Sequence, residues 1–287
     1  MVAKCKWILI LTAFFGGLMM QAYGQTNNKN KIAMTKGYAP VNGLKMYYEI
    51  HGTGEPLVLV HGGGSTITTT FGQVLSQFAK TRRVIGVEMQ AHGHTADIDR
   101  ALSFEQDADD IAALMRHLNI EKIDIFGFSN GGSTAMQLAI RHPNLVRKVI
   151  VGSSFYKRDG IYPEVWSFIQ QGTLDNMPQP LKDAYLKINN NQKGLTAMHD
   201  KDRQRMLDFK DWPAEALKSI QSPTLLLIGD RDVVRPEHAI EMYRLIPNAR
   251  IAILPSGHGG YIGEIMSRRD NNPQPEFTVN MIEEFLK

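Results

Sequence analysis

The sequence predicts an α/β protein built on a doubly wound, mostly parallel sheet. Short apolar runs alternate with longer amphipathic stretches from about residue 44 to the end of the chain, and this order is typical of repeated strand–helix units. Several runs, such as residues 57–60 and 84–87, are apolar at consecutive positions, which indicates strands that are covered on both faces. The length of 287 residues allows one large domain or two small ones.

The individual elements follow from the same patterning. The predicted strands comprise residues 46–50, 57–60, 84–87, 122–128, 146–151, 224–228 and 250–254. The predicted helices comprise residues 103–118, 132–141, 236–245 and 276–286. Ser103 is expected to cap the first of these helices, with Gln106 completing a capping box. Pro236 suits the first turn of the third helix.

The segment from residue 155 to residue 213 interrupts the alternation. It contains no run that resembles a buried strand, and its helix-like pieces carry apolar side chains such as Trp166, Phe168 and Phe209. An apolar set of this size needs a surface to cover. We therefore predict a helical cap over residues 155–213, inserted before the strand at 224–228, and a core made of residues 44–154 and 214–287.

The amino-terminal residues have the composition of an export signal. Lys4 and Lys6 precede an apolar stretch over residues 7–20, and Ala22 and Gly24 are small, which predicts a cleaved signal peptide over residues 1–24. The alternative, an uncleaved membrane anchor, is disfavoured because 14 apolar residues fall short of the roughly 20 that span a bilayer. We expect a secreted or periplasmic protein that begins with a polar lead-in over residues 25–43.

Composition narrows the classes of function. The formal charge is only +3 and no cluster of Lys or Arg stands out, so nucleic-acid binding is not expected. The single cysteine lies inside the predicted signal peptide, so disulfide bonds are not expected in the mature chain. His92 and His94 flank Gly93, but no acidic or cysteine ligand follows at metal spacing. We expect neither a metal nor a cofactor.

The most informative motif is Gly127-Phe128-Ser129-Asn130-Gly131. It follows a predicted strand and precedes a predicted helix, where a sharp turn forces the serine into a strained backbone conformation and requires small flanking residues. The turn also presents the hydroxyl at a helix amino terminus, which favours a developing anion. We predict Ser129 as a nucleophile; the alternative is a glycine-rich turn with an incidental serine.

A serine nucleophile needs a base and an acid that orients the base. Two carboxylates, Asp230 and Asp232, follow the strand at 224–228, and His258 lies in a glycine-rich turn after the last strand. Asp232 is preferred as the acid because it lies deeper in the loop, just ahead of the next helix. The order serine, acid, histidine is the one that a G-x-S-x-G elbow accompanies.

Two backbone N–H groups are candidates for stabilising an oxyanion. One belongs to Asn130, which follows the nucleophile. The other lies in the His61-Gly62-Gly63-Gly64 loop, where Gly63 is preferred and Gly64 is second. A phosphate-binding loop is the alternative, but it would require a lysine at the loop's end, and this sequence continues with Ser65.

Together these motifs resemble the α/β-hydrolase superfamily over about residues 46–285. The turn at residues 88–95 is similar to that superfamily's Asp-x-x-Gly-His-Gly-x-Ser segment, but it has Glu88, Ala91 and Thr95 instead. The glycine loop resembles that of hormone-sensitive-lipase-like esterases, whereas the elbow does not. The chain as a whole is most similar to smaller capped hydrolases, which include carboxylesterases, enol-lactonases and carbon–carbon bond hydrolases.

The resemblance implies the α/β-hydrolase fold and a serine hydrolase that acts on a small-molecule ester or related acyl substrate. A carboxylic-ester hydrolase working through an acyl-enzyme is the leading interpretation. A carbon–carbon bond hydrolase, a lactone hydrolase or a perhydrolase would use the same three residues, and a peptidase remains an alternative. A non-catalytic ligand-binding protein of the same fold is the alternative from a different class.

Overall fold

One eight-stranded sheet organises the part of the chain that the structure describes. The structure is a computed structural model, and it describes residues 34–287. The predicted signal peptide and the first residues of the predicted lead-in lie outside the described residues. The strands are β1 (Met34–Val41), β2 (Leu44–His51), β3 (Pro56–Val60), β4 (Arg83–Glu88), β5 (Ile123–Phe128), β6 (Val146–Gly152), β7 (Thr224–Arg231) and β8 (Ala249–Gly257).

The strand order is β1-β2-β4-β3-β5-β6-β7-β8. Strand β2 pairs antiparallel with both β1 and β4, and all pairs from β4 to β8 are parallel. The chain runs outward from β3 to β4 on one side and to β5 on the other, so the sheet is doubly wound, and the predicted fold class is confirmed. Because β3 to β8 are parallel, the loops at their carboxyl ends meet along one edge, where ligands bind in such sheets.

The helices connect these strands. They are α1 (Ile67–Phe71), α2 (Leu75–Phe78), α3 (Phe104–His117), α4 (Asn130–Arg141), α5 (Pro163–Gln170), α6 (Gln179–Ile188), α7 (Gln192–Asp208), α8 (Ala214–Lys218), α9 (Pro236–Leu245) and α10 (Gln274–Leu286). Ser103 caps α3 by accepting a hydrogen bond from the Gln106 N–H at 3.1 Å. The predicted capping box is incomplete, because the Gln106 amide donates to Asp110 instead.

Burial along the central strands accounts for the consecutive apolar positions. The side chains of Leu57, Val60, Ile125 and Phe126 are fully buried, and β5 is buried along its whole length. Burial of this kind contributes roughly 1.5–3 kcal/mol for each large apolar side chain. The central strands therefore hold the loops at their carboxyl ends in fixed positions.

Strand β1 was not predicted from the sequence. It lies within the segment that the sequence analysis interpreted as a lead-in, and that interpretation is wrong for residues 34–41 because they pair with β2 over its full length. The turn between the two strands is Asn42-Gly43, with φ values of 46° and 81°. An Asn-Gly pair in the left-handed region is typical of a tight hairpin, so the sequence did contain the signal.

The segment predicted as a cap carries α5, α6 and α7 between β6 and β7. Met206 and Phe209, near the end of α7, join the main apolar core. Leu195 and Met198, earlier in α7, pack with Ala91 of the loop after β4. The helices over residues 155–213 therefore lie against the core rather than away from it. None of the helices within residues 34–287 is both long and apolar enough to cross a membrane.

Candidate active site

Ser129 lies at the turn between β5 and α4 in a conformation that few side chains adopt. Its φ of 55° and ψ of −121° place it outside the ordinary regions for a residue with a Cβ atom, and the cost of such strain is about 1–3 kcal/mol. The surroundings enforce it: a Cβ atom at Gly127 would lie 1.9 Å from the Gly131 carbonyl oxygen, and one at Gly131 would lie 2.2 Å from the Val60 oxygen. Only glycine therefore fits at the positions two residues before and two residues after Ser129.

Asp232 and His258 form a hydrogen-bonded pair. His258 Nδ1 lies 2.7 Å from Asp232 Oδ1, across loops that follow β7 and β8. An ionised carboxylate only accepts hydrogen bonds, so Nδ1 carries the hydrogen and Nε2 is left as the acceptor. The Asp232 side chain is fully buried, whereas that of His258 is 27% exposed. This pair has the arrangement that a base and its orienting acid require.

The second oxygen of Asp232 is also held. Its Oδ2 atom accepts hydrogen bonds from Ser153 Oγ at 2.5 Å and from the Gly229 N–H at 3.2 Å. Because Ser153 has one hydroxyl proton, which it donates to Asp232, the Tyr261 hydroxyl 2.8 Å away donates to Ser153. Ser153 also has a positive φ of 50°. Sequence reasoning missed Ser153 and Tyr261, and the only signal was the position of Ser153 at the carboxyl end of β6.

In the Asp232–His258 pair, the pKa of each side chain is shifted so that its charged form is favoured. Burial by itself would raise the pKa of Asp232, but the charge of the His258 imidazolium and the hydrogen bonds from His258, Ser153 and Gly229 outweigh it and lower that pKa. Burial by itself would lower the pKa of His258, but the adjacent Asp232 carboxylate outweighs it and raises that pKa above the ordinary 6.5. Each group therefore stabilises the charge of the other.

His258 packs against Phe128, the residue before Ser129, but it makes no direct hydrogen bond to Ser129 itself. Among the described residues, no hydrogen bond joins the Ser129 hydroxyl to the imidazole. The ring of Phe128, the residue before Ser129, lies 4.8 Å from the His258 ring, centroid to centroid. Contacts between a nucleophile and its base are often long without substrate and shorten in the complex. The structure brings Asp232 and His258 together and leaves the contact to Ser129 open.

The glycine loop at residues 61–64 lies against the serine turn. A Cβ atom at Gly62 would be 3.4 Å from the Cβ of Ser129. The Gly62 N–H donates to Thr70 at 3.4 Å, and the Gly64 N–H donates to Asp202 of α7 at 2.6 Å. Within residues 34–287, the Gly63 and Asn130 N–H groups have no acceptor. These two groups are therefore available to a bound substrate, and Gly64, the second choice from the sequence, is not.

Asp230, His92 and His94, which the sequence also offered as candidates, are not part of the Asp232–His258 pair. Asp230 is exposed and accepts a hydrogen bond from the Ser256 N–H instead of from His258. His92 is buried and contacts Asp202, whereas His94 contacts Glu88. The part of the chain that the structure describes contains no group of three or more His, Cys, Asp or Glu side chains placed to hold a metal ion.

A cleft of about 870 Å³ lies between helix α6 and the core beside α1. Its lining includes Thr66 and Thr69 from the core, Lys187 from α6 and Arg268 from the loop after β8, but neither Ser129 nor His258. Next to it, the methyl group of Met177 lies 3.2 Å from where a Cβ atom of Gly64 would be. An apolar side chain from the segment between β6 and β7 therefore packs against the glycine loop.

Comparison with known proteins agrees with this architecture. A family model described as the alpha/beta hydrolase fold matches residues 55–197, and the chain belongs to the α/β-hydrolase superfamily. Serine hydrolase BPHL of Homo sapiens is 27% identical over 246 residues, which cover 78% of this chain and 80% of that protein. The 2-hydroxymuconate semialdehyde hydrolase of Pseudomonas sp. strain CF600 is 28% identical over 217 residues, covering 68% and 76%.

The fold is also shared with solved structures. A meta-cleavage product hydrolase from Pseudomonas fluorescens IP01 superposes with a TM-score of 0.71 at 21% identity, covering 89% of this chain and 97% of that one. The enol-lactonase from Burkholderia xenovorans LB400 gives a TM-score of 0.65 at 24% identity, covering 87% and 99%. The same overall fold thus occurs in a meta-cleavage product hydrolase and in an enol-lactonase.

The close approach around the serine turn predicts unequal tolerance of its glycines. Gly131→Ala should lower the free energy of unfolding by at least ~2 kcal/mol, because its methyl group meets backbone that cannot move aside. Gly257→Ala is the matched control, since its nearest neighbour would be 3.7 Å away, and it should change stability by less than ~1 kcal/mol. Urea unfolding followed by circular dichroism measures both. Equal stabilities would contradict the geometry described for the turn.

The Asp232–His258 pair predicts the titration of the imidazole. In the unmodified protein, His258 should titrate above pH 6.5, and in Asp232→Asn it should titrate at a lower pH, because burial then acts without the compensating charge. Asp230→Asn should leave the titration unchanged. Proton–nitrogen NMR of the imidazole across the pH range provides the measurement. The same titration in the unmodified protein and in Asp232→Asn would contradict the pairing.

Proposed function

We propose that the protein is a carboxylic-ester hydrolase that works through a Ser129–His258–Asp232 triad and an acyl-enzyme. The observation that carries this proposal is the Asp232–His258 hydrogen bond of 2.7 Å, which lies at the same sheet edge as the strained turn of Ser129. A hydroxyl at such a turn becomes a nucleophile when a base accepts its proton. The membership of a hydrolase superfamily supports the same chemistry.

The reaction divides into two halves. In the first, Ser129 Oγ attacks the ester carbonyl carbon while its proton passes to His258 Nε2, and the tetrahedral intermediate then expels the alcohol, which takes that proton. In the second, water attacks the acyl-enzyme while His258 accepts its proton, and the bond to Ser129 Oγ then breaks as His258 returns that proton to Oγ, which releases the carboxylic acid. Asp232 stabilises the imidazolium in both halves without taking a proton itself.

The oxyanion is stabilised by backbone groups. In each tetrahedral intermediate the carbonyl oxygen becomes negative, and the Gly63 and Asn130 N–H groups would donate hydrogen bonds to it. Donors that are fixed in position before the reaction lower the barrier without reorganising, and removing one of them costs about 10²–10³ in kcat. The Asn130 group also lies at the amino terminus of α4, where the helix dipole favours negative charge.

Hydrolysis of a carbon–carbon bond is the second candidate. It is favoured by one observation, the 28% identity to the 2-hydroxymuconate semialdehyde hydrolase of Pseudomonas sp. strain CF600. The two candidates differ in the bond that is broken, so assays of the same protein with a nitrophenyl ester and with a 2-hydroxy-6-oxo-dienoate compare them directly. The ester should be the better substrate by kcat/KM.

The triad predicts the outcome of substitutions in an ester assay. With short-chain nitrophenyl esters, Ser129→Ala should lower kcat/KM by at least ~10³, as removal of a triad member does. Asp232→Asn should also be strongly impaired, whereas Asp230→Asn, two residues away and without contact to His258, should keep nearly full activity. Full activity in Ser129→Ala, or equal losses in the two aspartate variants, would refute the assignment.

We also propose that the protein is exported, and the support comes from the charge and apolar pattern of residues 1–24. Expression of the full chain in a bacterial host should yield a periplasmic or secreted form whose first residue is Gln25, because signal peptidase reads the small residues Ala22 and Gly24. Intact-mass measurement and amino-terminal sequencing test this. A protein that keeps residues 1–24 and remains with the cytoplasmic fraction would contradict export.

A further inference from the structure

A buried charge cluster joins cap helix α7 to the glycine loop at residues 61–64. At its centre is Asp202, whose carboxylate receives the Gly64 N–H at 2.6 Å and His92 Nε2 at 2.8 Å on the same oxygen. Its other oxygen accepts a hydrogen bond from Arg205, which lies one turn later on α7. The other terminal nitrogen of the Arg205 guanidinium, Nη1, donates to Asp107 of α3 at 2.8 Å. One side chain of the cap thus contacts the loop that lies beside Ser129.

The hydrogen-bond partners identify His92 as a cation. Its Nδ1 atom lies 2.8 Å from the Gln90 carbonyl oxygen and its Nε2 atom lies 2.8 Å from Asp202. Both partners only accept hydrogen bonds, so both ring nitrogens must carry hydrogens. Burial opposes this charge, but the Asp202 carboxylate outweighs it and raises the pKa of His92.

His61 differs from His92 although the rings lie 4.9 Å apart. Its Nε2 atom accepts a hydrogen bond from the Met89 N–H, and its Nδ1 atom donates to the Gly62 carbonyl oxygen, so the ring is neutral. Burial and the charge of His92 lower the pKa of His61 to about 3. The glycine loop is therefore anchored at both ends. The neutral imidazole of its first residue, His61, contacts Met89, and the N–H of its last residue, Gly64, contacts the Asp202 carboxylate.

The two cations that contact the Asp202 carboxylate affect how an oxyanion can bind beside it. A lone negative charge so close to the Gly63 N–H would repel an oxyanion that binds there. His92 and Arg205 offset the charge of Asp202. Asp202 can therefore hold the loop at little electrostatic cost to a negative transition state.

The loop itself needs such an anchor. Gly62, Gly63 and Gly64 are consecutive glycines, and Gly64 has a φ of +64°; a run of this kind has many accessible backbone conformations. A hydrogen bond from an N–H group to an ionised carboxylate is roughly twice as strong as one between neutral groups. By engaging Gly64, Asp202 leaves the Gly63 N–H as the one loop donor in residues 62–64 without a protein acceptor.

We propose that Asp202 is a positioning residue through which the cap fixes the glycine loop, so that the Gly63 N–H is directed at the carbonyl oxygen of the substrate. This inference rests on the proposed esterase function, because it concerns the oxyanion of that reaction. The cap is then part of the catalytic architecture as well as a cover, since a cap that moves away from the core withdraws the carboxylate from Gly64.

Asp202→Asn keeps the shape of the side chain and removes its charge. It should lower kcat for a short-chain nitrophenyl ester about tenfold or more with KM within about twofold, because oxyanion contacts act in the transition state and not in substrate binding. An alkyl boronic acid, whose adduct with Ser129 resembles the tetrahedral intermediate, should bind more weakly by the same factor. Asp107→Asn, in the same cluster but without contact to the loop, is the matched control and should change kcat by less than about threefold.

Hydrogen exchange tests the anchor independently of any activity. The amides of residues 61–66 should exchange faster in Asp202→Asn than in Asp107→Asn, and Asp202→Ser repeats the comparison if the first variant folds poorly. Unchanged exchange, or equal losses of kcat in the Asp202 and Asp107 variants, would overturn the inference and make the cluster a cap anchor alone. An unmodified protein without esterase activity would refute the proposed function instead, and the exchange result would still decide whether Asp202 holds the loop.

Discussion

The hydrogen bond between Asp232 and His258 is the interaction on which the candidate site depends. It decides which imidazole nitrogen carries a hydrogen, and it raises the pKa of His258 while the pKa of Asp232 falls. The pair can form because β7 and β8 are parallel neighbours that end at the same edge of the sheet. The pairing of β7 with the edge strand β8 therefore determines the protonation state of a side chain that lies in a loop.

Backbone strain is concentrated at the same edge. Ser129 and Ser153 follow adjacent parallel strands, and both have φ values near 50°, a region that residues with a Cβ atom rarely occupy. Their hydroxyl groups differ in their contacts: that of Ser129 makes no hydrogen bond within residues 34–287, whereas that of Ser153 donates to the acid, Asp232. Strain of about 1–3 kcal/mol at each position persists because the sheet leaves the chain no relaxed alternative.

The sequence predicted those features of the fold and site that local patterns encode. The parallel strands were recognised from apolar runs, and Ser129, Asp232 and His258 were selected from short motifs at the ends of those runs. Strand β1 was missed because it contains Lys36, Gly37 and Pro40, residue types that are depleted in strands. The roles of Ser153 and Asp202 have no local pattern: Ser153 contacts Asp232 79 residues away, and Asp202 contacts Gly64 138 residues away. Such contacts follow from the tertiary packing.

Covalent labelling tests most directly whether Ser129 and His258 act together. A fluorophosphonate transfers its phosphoryl group to an activated serine with loss of fluoride, and mass spectrometry of the digested protein locates the adduct. We expect a single adduct on Ser129, and a rate of labelling that falls by at least ~10² in His258→Gln because the hydroxyl then lacks its base. An adduct on another serine, or the same rate in His258→Gln, would contradict the proposed triad.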